Sequence, residues 1–184
     1  LSLEGSRTEA QAARDDLAAK KKELDAQRTE ANKIIQQIAA AEDETEATLE
    51  EMEAEQKKIQ QEIERLNREL EAQRAAEGQS HLSNPGGYIW PVSSRYITST
   101  MGGRESPGGI GSTNHQGTDI GRVGYTSPIY AAKSGTVIVS QRSSSYGEYV
   151  VISHGSGNTT LYGHMSTRKV SVGQQVKQGD VLGI

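Results

Sequence analysis

The stretch YGEYVVISHGSGNTTLYGHM, residues 146–165, decides the fold of the second part of the chain. Within it, EYVVIS (148–153) and NTTLYGHM (158–165) are rich in β-branched residues and tyrosine, and the glycine-rich segment HGSGN (154–158) joins them. Such residues favour strands, and a short turn with glycine and asparagine connects antiparallel neighbours. The stretch therefore predicts two antiparallel strands.

Similar short runs, separated by glycine turns, occur on both sides of this stretch: YIWPV (88–92), YITST (96–100), PIYAA (128–132), GTVIVSQ (135–141) and KVSV (169–172). Phenylalanine is absent, so tyrosine, Trp90, valine and isoleucine must fill the core. We predict an antiparallel all-β domain over residues 88–184. The segment GQSHLSNPGG (78–87) before it is a predicted linker, with Gly78 as a helix cap and His81 as a solvated residue.

Residues 1–77 have a different amino-acid composition, and between Ser6 and Glu77 there is no glycine or proline. Good helix formers dominate, and apolar residues recur at 3/4 spacing. A first run is Ala10, Ala13, Leu17, Leu24, Ala31, Ile34, Ile38, Ala41, and a second is Leu49, Met52, Ile59, Ile63, Leu66, Leu70. The heptad phase shifts by four residues near Thr45–Leu49, which is a stutter. The fold class is thus α+β, a long coiled-coil helix followed by a β domain.

A helix this polar cannot bury its apolar stripe alone, so we expect a partner. The partner is a second copy, an upstream helix folded back as a hairpin, or another protein. The arm itself is either a spacer or dimerising stalk, or a regulatory arm that docks a partner or covers a site. Both interpretations remain open at this point.

Composition excludes several classes of protein. The chain has 184 residues and no cysteine, so neither a disulfide framework nor a thiolate metal site is available. No apolar run approaches the roughly 20 residues of a membrane span, and no signal peptide is recognisable. Residues 1–84 carry 20 acidic and 12 basic side chains, which predicts a solvated helix surface and no nucleic-acid site. Since the chain opens inside a helical pattern, we expect it to come from something longer.

The segment HQGTD (115–119) contains the first candidate site. A neutral imidazole and a carboxylate are good zinc ligands, and a bend at Gly117 would let His115 and Asp119 converge. A hydrolytic zinc ion needs three protein ligands and an open position for water. A surface histidine next to a turn-forming aspartate is the alternative that these five residues leave open.

Longer motifs in the β domain carry a family resemblance. They are ITSTMGGRESP (97–107, with Met101 where an aromatic residue is usual), NHQGTDIG (114–121), SPIYAAKSGTVIVSQ (127–141), YGEYVVISHGSGNTTLYGHMS (146–166) and VSVGQQVKQGDVLGI (170–184). In this order they resemble the LytM-type M23 family of zinc metallopeptidases, which cut peptide cross-links in bacterial cell walls. The resemblance covers nearly all of residues 88–184.

The resemblance implies roles for individual residues. His115 and Asp119 match two zinc ligands, and His164 matches a catalytic histidine that helps to activate water or steady the oxyanion. Tyr162, two residues earlier, would share the face of His164 on a regular strand. It could donate a hydrogen bond to the reacting carbonyl, or it could be a core tyrosine. His154 is expected to be structural, and Arg104 to line the groove or to pin the loop.

The chain also departs from the family pattern, because an H-x-H motif is missing. In the family this motif supplies the third zinc ligand and a second catalytic histidine. The histidines of this sequence are His81, His115, His154 and His164, and no two of them form H-x-H. As written, the chain has two of three zinc ligands. We expect a fragment of an active enzyme, lacking its last strands, or a truncated, inactive relative.

Three functional hypotheses result. The first is an extracytoplasmic zinc endopeptidase of bacterial peptidoglycan whose coiled coil docks on a membrane division complex or self-associates. The second is a non-catalytic LytM-type scaffold or activator of a cell-wall amidase. The third is a membrane-fusion adaptor with a lipoyl-like β domain, which would leave HQGTD and LYGHMS unexplained. Retention of His115, Asp119 and His164 together favours the first.

Overall fold

The computed structural model of the protein describes residues 3–78, 86–103 and 114–184. One helix, α1, spans Leu3–Ala76, as its composition predicts. The chain leaves the helix at Gly78, whose φ of 65° is the left-handed conformation favoured after a helix C-terminus. The Gly78 N–H donates to the Ala75 carbonyl at 3.2 Å. Within the described residues, no helix combines the length and apolar character that a bilayer crossing requires.

The contacts within the chain divide it into two compact units, Leu1–Thr48 and Leu49–Ile184. The described residues of the first unit are helical, and the large apolar side chains that the structure describes there face solvent: Leu17 is 70% exposed and Ile38 is 53% exposed. Its polar face carries local pairs such as Lys20 with Asp16, at 2.7 Å. The described part of the first predicted apolar run, from Leu17 to Ala41, is therefore a solvent-exposed stripe in this chain.

The second unit contains the end of the helix and the described strands. These strands are β1 (Tyr96–Ser99), β2 (Gly102–Gly103), β3 (Asn114–His115), β4 (Asp119–Gly121), β5 (Ile129–Tyr130), β6 (Gly135–Ser143), β7 (Gly147–Gly155), β8 (Asn158–Met165), β9 (Gln175–Val176) and β10 (Val181–Gly183).

All described strand pairs are antiparallel. The largest sheet has four strands in the order β8-β7-β6-β9, and three two-stranded sheets pair β1 with β4, β2 with β3, and β5 with β10. The predicted α+β fold, a long helix followed by an antiparallel β domain, is confirmed.

Two segments that we predicted as strands are irregular. YIWPV (88–92) forms no ladder, although Ile89 N–H donates to the Ala132 carbonyl and Tyr130 N–H to the Pro91 carbonyl, each at 2.8 Å. KVSV (169–172) also lies outside the strands, and Lys169 N–H donates to the Leu182 carbonyl at 2.7 Å. Isolated bonds replace a continuous ladder, and in the first segment Pro91 has no N–H to offer.

One face of the four-stranded sheet forms the main core. Val137, Val150 and Ile152 project from the central strands and are fully buried. They pack with other side chains of the same sheet, Tyr162, Met165 and Val176, and with side chains from the segments that cross this face, Ala131, Ala132, Val170 and Leu182. On β7, Tyr149 and Val151 alternate with these residues and point to the opposite face, as the pleat of a strand requires. On β6, a bulge between Val137 and Val139 places both Ile138 and Val139 on that face.

The opposite face of the sheet is covered by the second half of the helix. Ile63 is 3% exposed and lies in one cluster with Val139, Tyr149 and Val151, and the cluster is extended by partly buried Ile59, Leu66, Leu70, Tyr146 and Leu161. The second predicted apolar run therefore packs against the β-sheet of the same chain. Both faces of the sheet are buried, which explains why YVVIS in β7 is almost continuously apolar.

Polar side chains at this contact are paired as well. The hydroxyl of Ser153, on β7, donates to the side-chain carbonyl of buried Asn67, and Arg74 in the last helical turn donates to Thr136 on β6. Residues 49–76 thus pack as part of the β domain's own unit. This division, at 48/49, differs from the predicted assignment of residues 1–77 to one arm, which stays a prediction about domain organisation.

Candidate metal and catalytic site

Two short strand pairs position His115 and Asp119. His115 ends β3 and pairs with Gly102 on β2, and Asp119 begins β4 and pairs with Ser99 on β1. The bend between them does not depend on Gly117 for steric reasons, since a Cβ added there would meet no atom within 4 Å and its φ is not in the left-handed region. Strand pairing, more than the glycine, brings the two side chains together.

The two side chains converge as metal ligands do. His115 Nε2 lies 3.2 Å from Asp119 Oδ1. Two donor atoms that each lie 2.0–2.2 Å from a tetrahedral zinc ion are separated by about 3.4 Å. The other ring nitrogen, Nδ1, is 3.0 Å from the Thr100 carbonyl and 3.3 Å from Ser99 Oγ. A proton on Nδ1 that is donated to this carbonyl leaves the lone pair on Nε2, as in histidines that bind metals.

The pair therefore fits a zinc ion, and its exposure fits a site open to substrate: 14% for the His115 side chain and 47% for Asp119. Within residues 3–78, 86–103 and 114–184, no group of three or more histidine, cysteine, aspartate or glutamate side chains is arranged to hold a metal ion. The zinc site stays a prediction, with two ligands assigned from this chain.

His164 lies on β8, in the four-stranded sheet, and is exposed. Its φ of 54° is in the left-handed region, which few residues other than glycine occupy, and its N–H donates to the Tyr146 carbonyl at 2.8 Å. Such strained backbones cluster at functional sites. His115 and Asp119 belong to the two-stranded sheets, whereas His164 belongs to the four-stranded sheet. Its catalytic role stays a prediction.

A β-bulge separates Tyr162 from His164. Glu148 pairs with Met165 and Val150 pairs with Tyr162, so β8 advances three residues where β7 advances two. A bulge breaks the alternation of side chains and re-aims the residues beside it. We expected Tyr162 and His164 to share a face, but Tyr162 is 8% exposed and belongs to the core cluster, whereas His164 faces solvent.

The hydroxyl of Tyr162 is engaged inside the domain. It accepts a hydrogen bond from Ala132 N–H at 2.8 Å and lies 2.9 Å from the Thr160 hydroxyl. Burial is the main cause that raises its pKa. These contacts match the core tyrosine that the sequence left open as an alternative. To donate to a substrate carbonyl, this hydroxyl would have to turn away from the protein partners that surround it.

His154 completes this buried network. Its Nδ1 is 2.9 Å from the Ser134 carbonyl and its Nε2 is 2.8 Å from the Thr160 hydroxyl. Burial is the main cause that lowers its pKa, so the ring is neutral at pH 7. A neutral ring that donates from Nδ1 accepts at Nε2 and leaves no free nitrogen for a metal. This agrees with the structural role expected of His154.

Sequence reasoning missed the residues that support the candidate site. The Thr100 carbonyl that faces His115 carries no side-chain signal, because it belongs to the backbone. Glu55 contacts the β6–β7 turn beside His164, but it resembles any other charged helix residue. Two residues discussed from the sequence, His81 and Arg104, lie outside the described residues.

Comparison with known proteins supports these motifs. Residues 113–184 match the model of Peptidase family M23. Peptidoglycan DD-endopeptidase ShyC of Vibrio cholerae is 41% identical over 70 residues, 38% of this chain and 16% of that protein. The lipoprotein NlpD/LppB homolog of Pseudomonas aeruginosa is 38% identical over 99 residues, 53% of this chain and 30% of that protein.

The name of a third relative describes an activator of a hydrolase and not a peptidase. Murein hydrolase activator EnvC of Escherichia coli is 28% identical over 132 residues, which cover 62% of this chain and 32% of that protein. The chain thus spans between 16% and 32% of the length of these three relatives.

Proposed function

We propose, from the match of residues 113–184 to Peptidase family M23, that the protein is a zinc-dependent endopeptidase that cleaves peptide bonds of bacterial peptidoglycan. The observation that carries the proposal is the 3.2 Å approach of His115 Nε2 to Asp119 Oδ1, with Nδ1 of the same ring facing a backbone carbonyl. The endopeptidase name of one relative supports the substrate class.

In this proposal His115 and Asp119 hold the zinc ion, together with a ligand still to be assigned. A bound zinc ion supplies Lewis-acid chemistry, polarising a peptide carbonyl and acidifying water. The imidazole of His164 accepts a proton from the attacking water and returns it to the leaving amide nitrogen. Tyr162, in the core, supports the β7–β8 pair that carries His164. Its predicted role as a hydrogen-bond donor to the substrate comes second to this structural role.

Charge and exposure support a cell-wall setting outside the cytoplasm. Residues 85–184 carry 8 basic and 4 acidic side chains, which complements a polyanionic wall. The exposed stripe that includes Leu17, Leu24 and Ile38 is available to a partner helix, in a second copy or in a membrane division complex. In this proposal the segment before residue 49 is the docking or regulatory arm.

Zinc binding tests the metal site directly. We expect the purified chain to compete for zinc with a chromophoric chelator, and His115→Ala and Asp119→Ala to abolish this competition. His81→Ala is the matched control, because it removes a histidine from the predicted linker. Zinc binding that survives both substitutions at residues 115 and 119 would contradict the assignment of the ligands.

Hydrolysis is tested on the protein expressed from its complete coding sequence. Incubation with purified peptidoglycan is expected to release new amino termini, detected by amine labelling and mass spectrometry. His164→Ala should keep zinc binding and lose the release of amines. Hydrolysis that is unaffected by His164→Ala would remove this residue from the proposed mechanism.

A non-catalytic activator of a cell-wall amidase is the second candidate, and the similarity to a murein hydrolase activator favours it. An amidase removes the peptide from the sugar, whereas an endopeptidase cuts within the peptide. If the protein releases no fragments alone but increases the release of intact stem peptides by an added amidase, the activator hypothesis replaces the endopeptidase.

A further inference from the structure

The carboxylate of Glu55, on the helix, is bound to the turn between β6 and β7. Its oxygens accept hydrogen bonds from Ser144 N–H at 3.2 Å, from the Ser144 hydroxyl at 2.7 Å and from Ser145 N–H at 2.8 Å. The Ser144 hydroxyl is the main cause that lowers the pKa of Glu55 below 4.5, so the carboxylate is ionised at neutral pH. Hydrogen bonds to an ionised acceptor are stronger than neutral ones.

The other side of the same turn contacts His164. The Tyr146 carbonyl accepts the hydrogen bond from His164 N–H at 2.8 Å. Gly147 follows with φ of 59°, and a Cβ added there would lie 3.5 Å from His164 Cα and 3.6 Å from its Nδ1. Four residues, 144–147, therefore contact the helix carboxylate at one end and the candidate catalytic histidine at the other.

The backbone of His164 depends on such support. It has a left-handed φ next to the bulge, and a non-glycine residue keeps this conformation only where its surroundings hold it there. Tyr146, whose carbonyl provides the hydrogen bond, also packs its ring 5.6 Å from that of Tyr149 in the cluster under the helix. Both the charge of Glu55 and the packing of the helix thus act on the turn that holds His164.

We propose that Glu55 is a positioning residue for His164: it orders the β6–β7 turn, and the turn sets the backbone and hence the imidazole direction of His164. The inference rests on the catalytic role proposed above for His164. It assigns the helix a part in the site itself, because separation of residues 49–76 from the sheet would remove Glu55 from the turn.

The chain offers a matched control in Glu71. This residue lies on the same helix, and its carboxylate accepts a hydrogen bond from Gly157 N–H at 2.7 Å. Gly157 lies in the β7–β8 turn, at the opposite end of β7 from the β6–β7 turn. Glu71→Ala therefore removes a similar helix-to-turn bond without touching residues 144–147.

The experiment is NMR spectroscopy of the 184-residue chain, labelled uniformly with ¹⁵N and with ¹³C in the histidine rings. His164 signals are assigned with His164→Gln. In Glu55→Ala we expect altered backbone and ring shifts of His164, and amide exchange of His164 faster by about tenfold relative to Val151 in the core. Glu55→Gln, which keeps one acceptor oxygen, should restore part of the effect.

Exchange relative to Val151 separates a local change from general loss of stability. In Glu71→Ala we expect the Gly157 amide to change and His164 to keep its wild-type shifts. The proposal is overturned if Glu55→Ala alters Ser144 and Ser145 but not His164, or if Glu71→Ala alters His164 equally. The NMR spectra do not depend on enzymatic activity. A His164→Ala protein that still cleaves peptidoglycan would therefore overturn the catalytic role of His164 and not the coupling between Glu55 and His164.

Discussion

The helix segments 3–48 and 49–76 share their residue types but not their surroundings. Both combine charged residues with apolar ones at 3/4 spacing. In the first, Ile35 is 62% exposed, whereas in the second Ile63 is 3% exposed against the β-sheet. The division between the units, after Thr48, falls where the heptad phase shifts. A stutter in an otherwise uniform helix can thus mark the position where an exposed apolar stripe gives way to a covered one.

The largest expected effect comes from the buried side of this comparison. Ile63→Ala should lower the free energy of unfolding by about 2–5 kcal/mol, because it leaves a cavity between helix and sheet. The matched change in the exposed segment, Ile35→Ala, should stay within about 0.5 kcal/mol. Urea unfolding followed by the fluorescence of Trp90, the single tryptophan, measures both. Equal effects would contradict the difference between the two segments.

Removal of the buried polar pair should have the next largest effect. Asn67→Ala leaves the Ser153 hydroxyl buried without its partner, at a cost of about 1–3 kcal/mol in the free energy of unfolding. The double variant with Ser153→Ala should recover part of this loss, because both polar groups are then absent. Asn32→Ala, in the exposed segment, is the control. A double variant as unstable as the sum of the single ones would argue against the pairing.

The pH dependence of stability should be specific to the second unit. The folded state lowers the pKa of His154 below its ordinary value of 6.5, so the unfolded state binds the proton more readily. Stability is therefore full above pH 6.5 and is lost as the pH falls below this value, levelling off below the folded pKa. The urea concentration at the midpoint of unfolding, followed by Trp90 fluorescence, should be lower at pH 5.5 than at pH 7.5.

In His154→Gln the slope, which is the change of the urea midpoint with pH, should diminish, even if the variant is less stable at every pH. Residues 3–48 contain no histidine and do not contribute to the slope in this range. An unchanged slope in His154→Gln would assign the pH dependence to another group.

The smallest effect is expected at the exposed ion pairs. Lys20→Ala removes the 2.7 Å pair with Asp16, in which both side chains are more than 60% exposed. Water and salt screen such a pair, so the thermal unfolding of the helix, followed by circular dichroism, should not change measurably. A clear loss of helicity would indicate that this surface is covered by a partner in solution.

Much of the fold was predictable because its signals are local. The segment NTTLYGHM coincides with β8, and GTVIVSQ and EYVVIS lie within β6 and β7. Strand propensity and glycine turns act over a few residues, so the sequence displays them directly. YIWPV and KVSV were wrong as strands, since whether a short extended segment joins a ladder depends on the neighbours that tertiary packing supplies.

The candidate site was predictable in its residue types and less so in its geometry. The sequence alone indicated His115 and Asp119 as partners, and the structure brings their side chains within 3.2 Å. It could not indicate that a bulge on β8 separates Tyr162 from His164, because register is decided by the pairing with β7. Nor could it distinguish Glu55 from the other helix carboxylates.

The sequence by itself determined the long helix and the antiparallel β domain, since propensity and spacing are properties of neighbouring residues, and its resemblance to a family indicated the motif residues of the candidate site. Only the tertiary structure decided which half of the helix is covered, which face of β8 each side chain takes, and which carboxylate holds the turn beside His164. These depend on contacts between residues far apart in the chain, such as Glu55 with Ser145 and Asn67 with Ser153.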